Sequence, residues 1–146
     1  MNIRNNVRAF IINEDNEILL QKFEFTFTGT SKDLWVTPGG GVEEGETFEQ
    51  ALEREMFEEL GLNIGIEEKS ILILDVPFDG KCGKFISHEV YYLVHLSKNT
   101  TFSLINMEDG EKDTFHTVKW WSLEELRKTK EEFEPREQII RFLERR

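Results

Sequence analysis

A segment with two well-marked ends predicts a helix from Phe48 to Leu60. Thr47 is followed three residues later by Gln50, a capping-box pattern in which each side chain bonds the backbone N–H of the other residue. Gly61 stands just after the helix, where a left-handed backbone conformation commonly ends it. Because both ends are marked, the directions of the side chains follow from the helical period of 3.6 residues.

Carboxylates interrupt the apolar face of this helix. At about 100° per residue, Glu55 and Glu59 lie within the apolar arc and Glu58 lies at its border. The arc is formed by Phe48, Ala51, Leu52, Met56 and Leu60. Glutamates at the edge of a core can extend to solvent or pair with Arg54, but burial of an unpaired carboxylate is costly and one arginine cannot pair with all three. The pattern therefore favours a bound divalent cation.

The charge of the chain points to the same chemistry. Eight Glu and one Arg lie between Glu43 and Glu59, and the 146 residues carry a formal charge of -11. This charge repels phosphate backbones and anionic membranes, so we expect neither nucleic-acid polymers nor membranes as partners. Oxygen ligands without clustered Cys or His favour Mg²⁺ or Mn²⁺ as the cofactor. The single Cys82 fits a cytoplasmic protein without disulfides.

The rest of the sequence indicates strands with two further helices. Segments Val7–Ile12 and Glu17–Lys22 flank a polar turn and predict a hairpin. The aromatic segment Phe23–Asp33 fits a strand end, a mobile loop or both. Further strands are expected at 71–76, 85–96 and 117–121, a short helix after the capping-box residue Ser122, and a last helix at Pro135. We expect one domain over residues 1–146.

The spacing around the helix resembles the Nudix box. Gly40 is followed after five residues by Glu46 and after seven more by the run Arg54–Leu62, which reads Arg-Glu-Met-Phe-Glu-Glu-Leu-Gly-Leu. A strand that ends in Trp-Val-Thr-Pro-Gly-Gly precedes the box, and the segment Lys119–Leu126 is similar to a late strand and helix start of the same proteins. Roughly the whole chain thus resembles the Nudix (MutT-like) hydrolase family.

The resemblance implies a fold and a reaction. The fold is of the α/β (α+β) class, an α/β/α sandwich around a mixed β-sheet. The reaction is the Mg²⁺- or Mn²⁺-dependent hydrolysis of a nucleoside diphosphate linked to another group, by attack of water on phosphorus. The resemblance also assigns the roles of six residues: Glu55, Glu58 and Glu59 would hold the metal with the Gly40 carbonyl, Arg54 would orient a carboxylate, and Glu46 would brace the loop.

The catalytic base is not fixed by the sequence. Glu55 is the first choice and Glu58 the second, and a loop before the late strand supplies further acids. These are Glu108, Asp109, Glu111 and Asp113, among which the sequence does not choose.

Aromatic residues are candidates for stacking the substrate, with the backbone of Gly39 and Gly41 beside its phosphates. The aromatic candidates are Phe25, Phe27 and Trp35, followed by Phe78, Phe85 and Tyr91, and each is also explained as a core residue. Pro77 lies where relatives that act on ADP-ribose carry a proline, although a proline before a turn has a structural explanation too.

The expected partner is a small nucleotide substrate, and a homodimer is compatible with the sequence. Two alternative functions remain open. A Nudix-fold isomerase of isoprenyl diphosphates uses a catalytic cysteine, which Cys82 does not clearly match. A non-catalytic nucleotide sensor is the other alternative.

Overall fold

The computed structural model describes residues 2–27, 29–66, 69–80, 83–107 and 114–146. Its strands are Asn2–Ile12 (β1), Ile18–Phe27 (β2), Thr30–Val36 (β3), Gly39–Gly41 (β4), Leu72–Gly80 (β5), Gly83–His95 (β6), Phe115–Trp121 (β7) and Phe133–Glu134 (β8). Its helices are Phe48–Leu60 (α1), Leu123–Lys128 (α2) and Arg136–Glu144 (α3).

The strands form one mixed sheet in the order β5-β6-β1-β2-β3-β8, with β4 paired to β1 and β7 paired to β2. Strand β1 runs parallel to β6 along its whole length, from the pair of Asn2 and Phe85 onward. On its other side, β1 pairs antiparallel with the short β4, so that Arg8 lies opposite Gly39. Residues Asn6–Arg8 of β1 therefore lie between β4 and β6.

Alternate residues of β1 pack into two different cores. Val7, Ala9 and Ile11 belong to a buried cluster that contains the apolar side of α1. Phe10 and Ile12 point the other way, into a cluster completed by Leu126 of α2 and by Ile139 and Leu143 of α3. The sheet is thus covered by α1 on one face and by α2 and α3 on the other, which confirms the predicted α/β/α arrangement around a mixed sheet.

Helix α1 has the predicted bounds. The Thr47 side chain accepts a hydrogen bond from the Gln50 backbone N–H, and the Gln50 side chain accepts one from the Thr47 N–H, each at 3.0 Å. Gly61 ends the helix with a left-handed backbone, at φ 71°. The same capping box, formed by Ser122 and Glu125, opens α2. The sequence was sufficient to predict these helix ends because the hydrogen bonds that form them join residues close in sequence.

The sheet extends beyond the segments that the sequence marked. The predicted hairpin of β1 and β2 is present, and β2 continues to Phe27. The segment Phe23–Asp33, for which several conformations were open, forms the paired ends of β2 and β3, with Phe23 opposite Leu34. Among the helices of the described ranges, none is both long and apolar enough to cross a membrane.

The capping box of α1 gives a test of the local energetics. We expect Thr47→Ala to lower the free energy of unfolding by about 1 kcal/mol, since the N–H of Gln50 loses its acceptor. Thr47→Ser retains the hydroxyl and should stay close to wild type. Urea denaturation followed by circular dichroism measures both variants. Equal losses in the two would show that the methyl group, and not the cap, is what matters.

Candidate active site

Helix α1 places two carboxylates in the protein interior. Glu55 is 8% exposed and Glu59 is 3% exposed, and both lie beside buried apolar residues of the same helix. Glu58, one turn from Glu55, is half-buried. The structure therefore brings together the three glutamates that the helical period placed on or beside the apolar arc.

The guanidinium of Arg54 lies at the centre of these acids and uses its five N–H groups. Its Nε and Nη2 donate to the two carboxylate oxygens of Glu46, at 2.8 and 3.0 Å. Its Nη1 donates to Glu55 at 2.9 Å and to Glu58 at 3.3 Å. Nη2 also donates to the carbonyl of Gly41 at 2.8 Å. One side chain thus joins the glycine strand, the following loop and the acidic face of the helix.

These contacts shift the pKa values of the strongest pair. The hydrogen bonds from Arg54 hold the pKa of Glu46 below its usual value, against the opposing effect of burial. In turn, the hydrogen bond to Glu46 is the largest cause that raises the pKa of Arg54. The bidentate pair is therefore fully charged at neutral pH.

The glycine turn, Gly39–Gly41 of β4, lies so close to α1 that side chains would not fit at its first two residues. The Gly39 N–H donates to the Glu59 carboxylate at 2.9 Å. Gly39 has φ 147°, and a Cβ on it would lie 2.0 Å from the carbonyl oxygen of Val7. A Cβ on Gly40 would lie 2.5 Å from a carboxylate oxygen of Glu55. Glycine is needed here because backbone and carboxylates occupy the space of a side chain.

The donor set fits a hard divalent cation. Three carboxylates of one helix and the backbone of Gly40 offer only oxygen, which is the ligand type of Mg²⁺ and Mn²⁺. Within the described part of the chain, no three acidic, His or Cys side chains are already arranged as a ligand set. The reason is visible in the contacts, since Arg54 holds Glu55 and Glu58 while Gly39 holds Glu59.

Two adjoining cavities lie beside the glycine turn, and the residues that line both of them lie on the face of the sheet opposite α1. The loop cavity, of about 590 Å³, reaches Gly41 and Val42. The strand cavity, of about 510 Å³, is lined largely by apolar residues of β3 and β5. Arg8, Phe78 and Glu89 line both cavities, so the two form a continuous cleft that begins at the glycine turn.

The aromatic candidates separate into core and cleft residues. Trp35 is 5% exposed and packs edge to face against Trp121, so it is a core residue and offers no stacking surface. Phe25 and Tyr91 line the strand cavity, Phe85 lines the loop cavity, and Phe78 lines both.

Several predicted positions lie outside the part of the protein that the structure describes. The side chain of Phe27 is one, and Cys82 is another. The loop acids Glu108, Asp109, Glu111 and Asp113 also lie outside it, so the choice among them stays a prediction.

Sequence reasoning missed Arg8 and Glu89. Each stands in a strand of mostly apolar residues and on the face that leads into the core of α2 and α3. Polar residues at every second position, Asn6 with Arg8 and Ser87 with Glu89, were the signal that could have found them.

The model of the NUDIX domain family matches residues 2–142. An RNA pyrophosphohydrolase of Erwinia tasmaniensis is 41% identical over 134 residues, which cover 82% of this chain and 69% of the relative. An RNA pyrophosphohydrolase of Blochmanniella floridana is 36% identical over 104 residues, and the match covers 61% of each protein. The chain thus spans only about six tenths of that relative.

A solved structure shows the same fold. The NUDIX domain of Shewanella oneidensis NrtR in complex with ADP ribose superimposes with a TM-score of 0.69 at 22% identity. The match covers 99% of this chain and 88% of that chain.

The pair of Glu46 and Arg54 predicts a pH dependence of stability. Because the folded-state pKa of Glu46 is lowered, its contribution is present above the ordinary carboxyl pKa and is lost as the pH falls through the folded value. We expect Glu46→Gln to be less stable than wild type at neutral pH and the difference to shrink below about pH 4. Urea unfolding across this range measures it.

The matched control is Glu44→Gln, which removes the same charge from an exposed residue of the same loop. Its difference from wild type should be small at both ends of the range. If the difference in free energy of unfolding between wild type and Glu46→Gln stayed constant with pH, the role assigned to the Glu46 charge would be contradicted.

Proposed function

Because the chain belongs to the NUDIX family, we propose that it hydrolyses a diphosphate linkage in a nucleoside diphosphate derivative with the help of Mg²⁺ or Mn²⁺. The products are a nucleoside monophosphate and the phosphorylated remainder of the substrate. The observation that supports this most directly is the set of three carboxylates on α1, in which Glu59 accepts from the Gly39 N–H of the glycine turn and Glu55 and Glu58 share Arg54.

The metal ligands in this proposal are Glu55, Glu58, Glu59 and the carbonyl of Gly40. A divalent ion held by these ligands would supply positive charge for the phosphate oxygens and for the departing phosphate. To hold such an ion, Glu55 and Glu58 would turn from the Arg54 guanidinium, which they contact through a single nitrogen. Glu46 holds that guanidinium by two bonds, so the arginine stays in place when the weaker contacts are exchanged.

The chain's own residues supply the proton transfer and the positioning. The water oxygen attacks one phosphorus, the bridging P–O bond breaks, and the electron pair leaves with the bridging oxygen on the second phosphate. Glu55 accepts the proton of the water as general base, with Glu58 and the acids at 108–113 as the alternatives. Arg54 is a positioning residue, since its bonds to Glu46 and to the carbonyl of Gly41 hold the loop and β4 beside the carboxylates of α1.

A small nucleotide is the favoured substrate class. The cleft that starts at the glycine turn has two cavities of about 590 and 510 Å³, sizes suited to one small ligand. The charge of -11 opposes binding of a polyanion. Pro77 lies in β5 opposite Ile86. This strand position does not single out ADP-ribose, which is therefore compared with other nucleotide substrates.

The relatives favour a second candidate. Their name, RNA pyrophosphohydrolase, suggests removal of pyrophosphate from the 5′ end of an RNA. The bond cleaved is of the same kind, so the same carboxylates would serve. A substrate panel that contains 5′-triphosphorylated RNA beside free nucleotides distinguishes the two candidates.

The carboxylate assignment is tested by Glu59→Gln and Glu58→Gln. Each variant keeps the shape and removes a charge that would face the metal, so turnover should fall by roughly two orders of magnitude or more. Saturating Mn²⁺ should raise the thermal midpoint of wild type, because it binds only the folded state, and raise it less in the variants.

The control for these variants is Glu53→Gln on the same helix. Glu53 accepts a hydrogen bond from the Ile66 N–H at 2.8 Å, and glutamine retains an acceptor for it. Near-normal turnover of Glu59→Gln at limiting Mg²⁺ would remove Glu59 from the ligand set.

The position of attack is tested by hydrolysis in ¹⁸O-labelled water. The panel contains ADP-ribose, GDP-sugars, dinucleoside polyphosphates, nucleoside triphosphates and 5′-triphosphorylated RNA. For a substrate with two organic groups, two phosphorylated products should form in equal amounts, and one of them should carry one heavy oxygen on phosphorus. Label outside the phosphates, or isomerisation without hydrolysis, would instead support the isomerase. Binding without turnover would support a sensor.

A further inference from the structure

The cleft beside the glycine turn has a charged floor that the proposed reaction does not use. Glu89 of β6 and Arg8 of β1 line both of its cavities. They lie on the face of the sheet opposite α1, since their neighbours Val90, Val7 and Ala9 pack in the core cluster with that helix. Glu89 is therefore separated by the sheet from the carboxylates proposed to hold the metal.

Neutral donors hold the Glu89 carboxylate in place. The Ser87 hydroxyl donates to one of its oxygens at 2.9 Å, and the Tyr91 hydroxyl donates to the other at 3.1 Å. The Ser87 oxygen in turn accepts from the Asn6 side-chain amide at 2.8 Å. Each carboxylate oxygen accepts one of these bonds and has capacity for another, so the group is oriented and still able to accept from a ligand.

The Tyr91 hydroxyl remains protonated at neutral pH and therefore continues to donate to Glu89. Burial is the largest cause that raises the pKa of its phenol, the negative charge of Glu89 raises it further, and the positive charge of Arg8 opposes both. Tyr91 is 2% exposed, so its ring forms part of the fixed floor of the strand cavity.

Arg8 is fixed in a similar way. Its Nη1 donates to the carbonyl of Thr37 at 3.0 Å, which anchors the guanidinium at the end of β3. Only part of the five-donor fork is used in that bond, so further N–H groups of Arg8 can donate to a ligand in the cleft. A fixed cation and a fixed anion thus lie side by side on the cleft floor.

A flat aromatic surface completes the cleft. Phe78 is 44% exposed although it lines both cavities. Its ring stacks on Phe85 with a centroid distance of 5.2 Å and an interplanar angle of 12°. The guanidinium of Arg4 lies 4.0 Å from the centroid of the Phe85 ring. The stack holds Phe78 in one orientation, with exposed ring surface left to pack against a planar ligand.

We propose that Glu89, with Arg8 and Phe78, selects a guanine base in the substrate. The N1–H and N2–H₂ groups of guanine are adjacent donors that match the two oxygens of one carboxylate, and its O6, next to N1, is an acceptor for Arg8. Adenine offers a donor and an acceptor on the same edge, so a carboxylate pairs with only one of them. Phe78 would stack on the face of the base.

The site lies at a distance from the glycine turn that a nucleotide can cover. Gly41, Asn6 and Glu89 lie opposite one another on the neighbouring strands β4, β1 and β6. Two strand spacings separate the first from the last, about 10 Å. A base at Glu89 therefore leaves the diphosphate beside Gly41 of β4, and the preceding residue Gly40 faces Glu55 on the α1 side of the same strand. The inference rests on the proposed function in this respect, because it assigns a base to the same substrate.

The test measures binding of GMP, IMP and AMP by isothermal titration calorimetry. These monophosphates contain no diphosphate linkage, so the measurement does not depend on hydrolysis. Wild type should bind GMP about 10-fold more tightly than AMP, with IMP between them because it lacks the 2-amino group. In Glu89→Gln this preference should be lost, since an amide can pair with the donor and acceptor of adenine but not with two donors of guanine.

Two further variants control for charge and folding. Asp75→Asn removes the same charge from the neighbouring strand on the opposite face, where Asp75 bonds His88, and should keep the preference for GMP. Ser87→Ala leaves the Glu89 carboxylate in place without one of its supports and should reduce the preference partially. Circular dichroism and thermal midpoints verify that each variant is folded.

The outcomes separate this inference from the proposed function. Equal weakening of all three ligands by Glu89→Gln would show that Glu89 contacts the sugar or the phosphate, and would overturn the guanine assignment. An unchanged preference, or no binding of GMP to wild type, would overturn it as well. A preference for GMP that depends on Glu89 in a protein without hydrolase activity would uphold the assignment and refute the proposed reaction.

Discussion

The bidentate ion pair of Arg54 and Glu46 is the interaction on which the acidic region depends. Without a cation, the buried Glu55 and the half-buried Glu58 would repel one another and the neighbouring loop. A guanidinium is suited to this position because its planar fork carries five donors, and all five find acceptors on three different segments. A lysine, with three donors around one nitrogen, could compensate charge but could not join the same segments.

The unequal contacts of Arg54 would let a stable fold coexist with the proposed metal site. Two bonds go to Glu46 and one to the carbonyl of Gly41, and these fix the loop and the glycine strand. The contacts to Glu55 and Glu58 share a single nitrogen, and the longer of them measures 3.3 Å. Glu55 and Glu58, which share this nitrogen, are two of the proposed metal ligands. They can therefore exchange Arg54 for another partner while Arg54 still holds the loop.

The sequence predicted what local bonds determine. The ends of α1 follow from Thr47, Gln50 and Gly61, whose partners lie within a few residues, and the burial of Glu55 follows from the helical period. The extent of β2 and β3 could not be predicted, because the aromatic alternation of Phe23–Asp33 fits a strand only when its partner is known. The polar floor of the cleft was missed for the same reason, since the hydrogen bond between Asn6 and Ser87 joins residues 81 positions apart. Trp35 illustrates the converse, an aromatic residue whose pattern fitted a ligand wall and whose packing against Trp121 makes it core.

Strand β1 connects the two halves of the proposed chemistry through its alternation. Val7 lies opposite Gly40, and the space for a Gly40 side chain is taken by Glu55 on the α1 face. Asn6 lies opposite Gly41 on one side and Glu89 on the other, and its side chain supports the cleft on the opposite face. Successive residues of one strand thus support the carboxylates on one face and the recognition floor on the other. Because a shift of register by one residue would exchange the faces, the long parallel pairing of β1 with β6 fixes both sites at once.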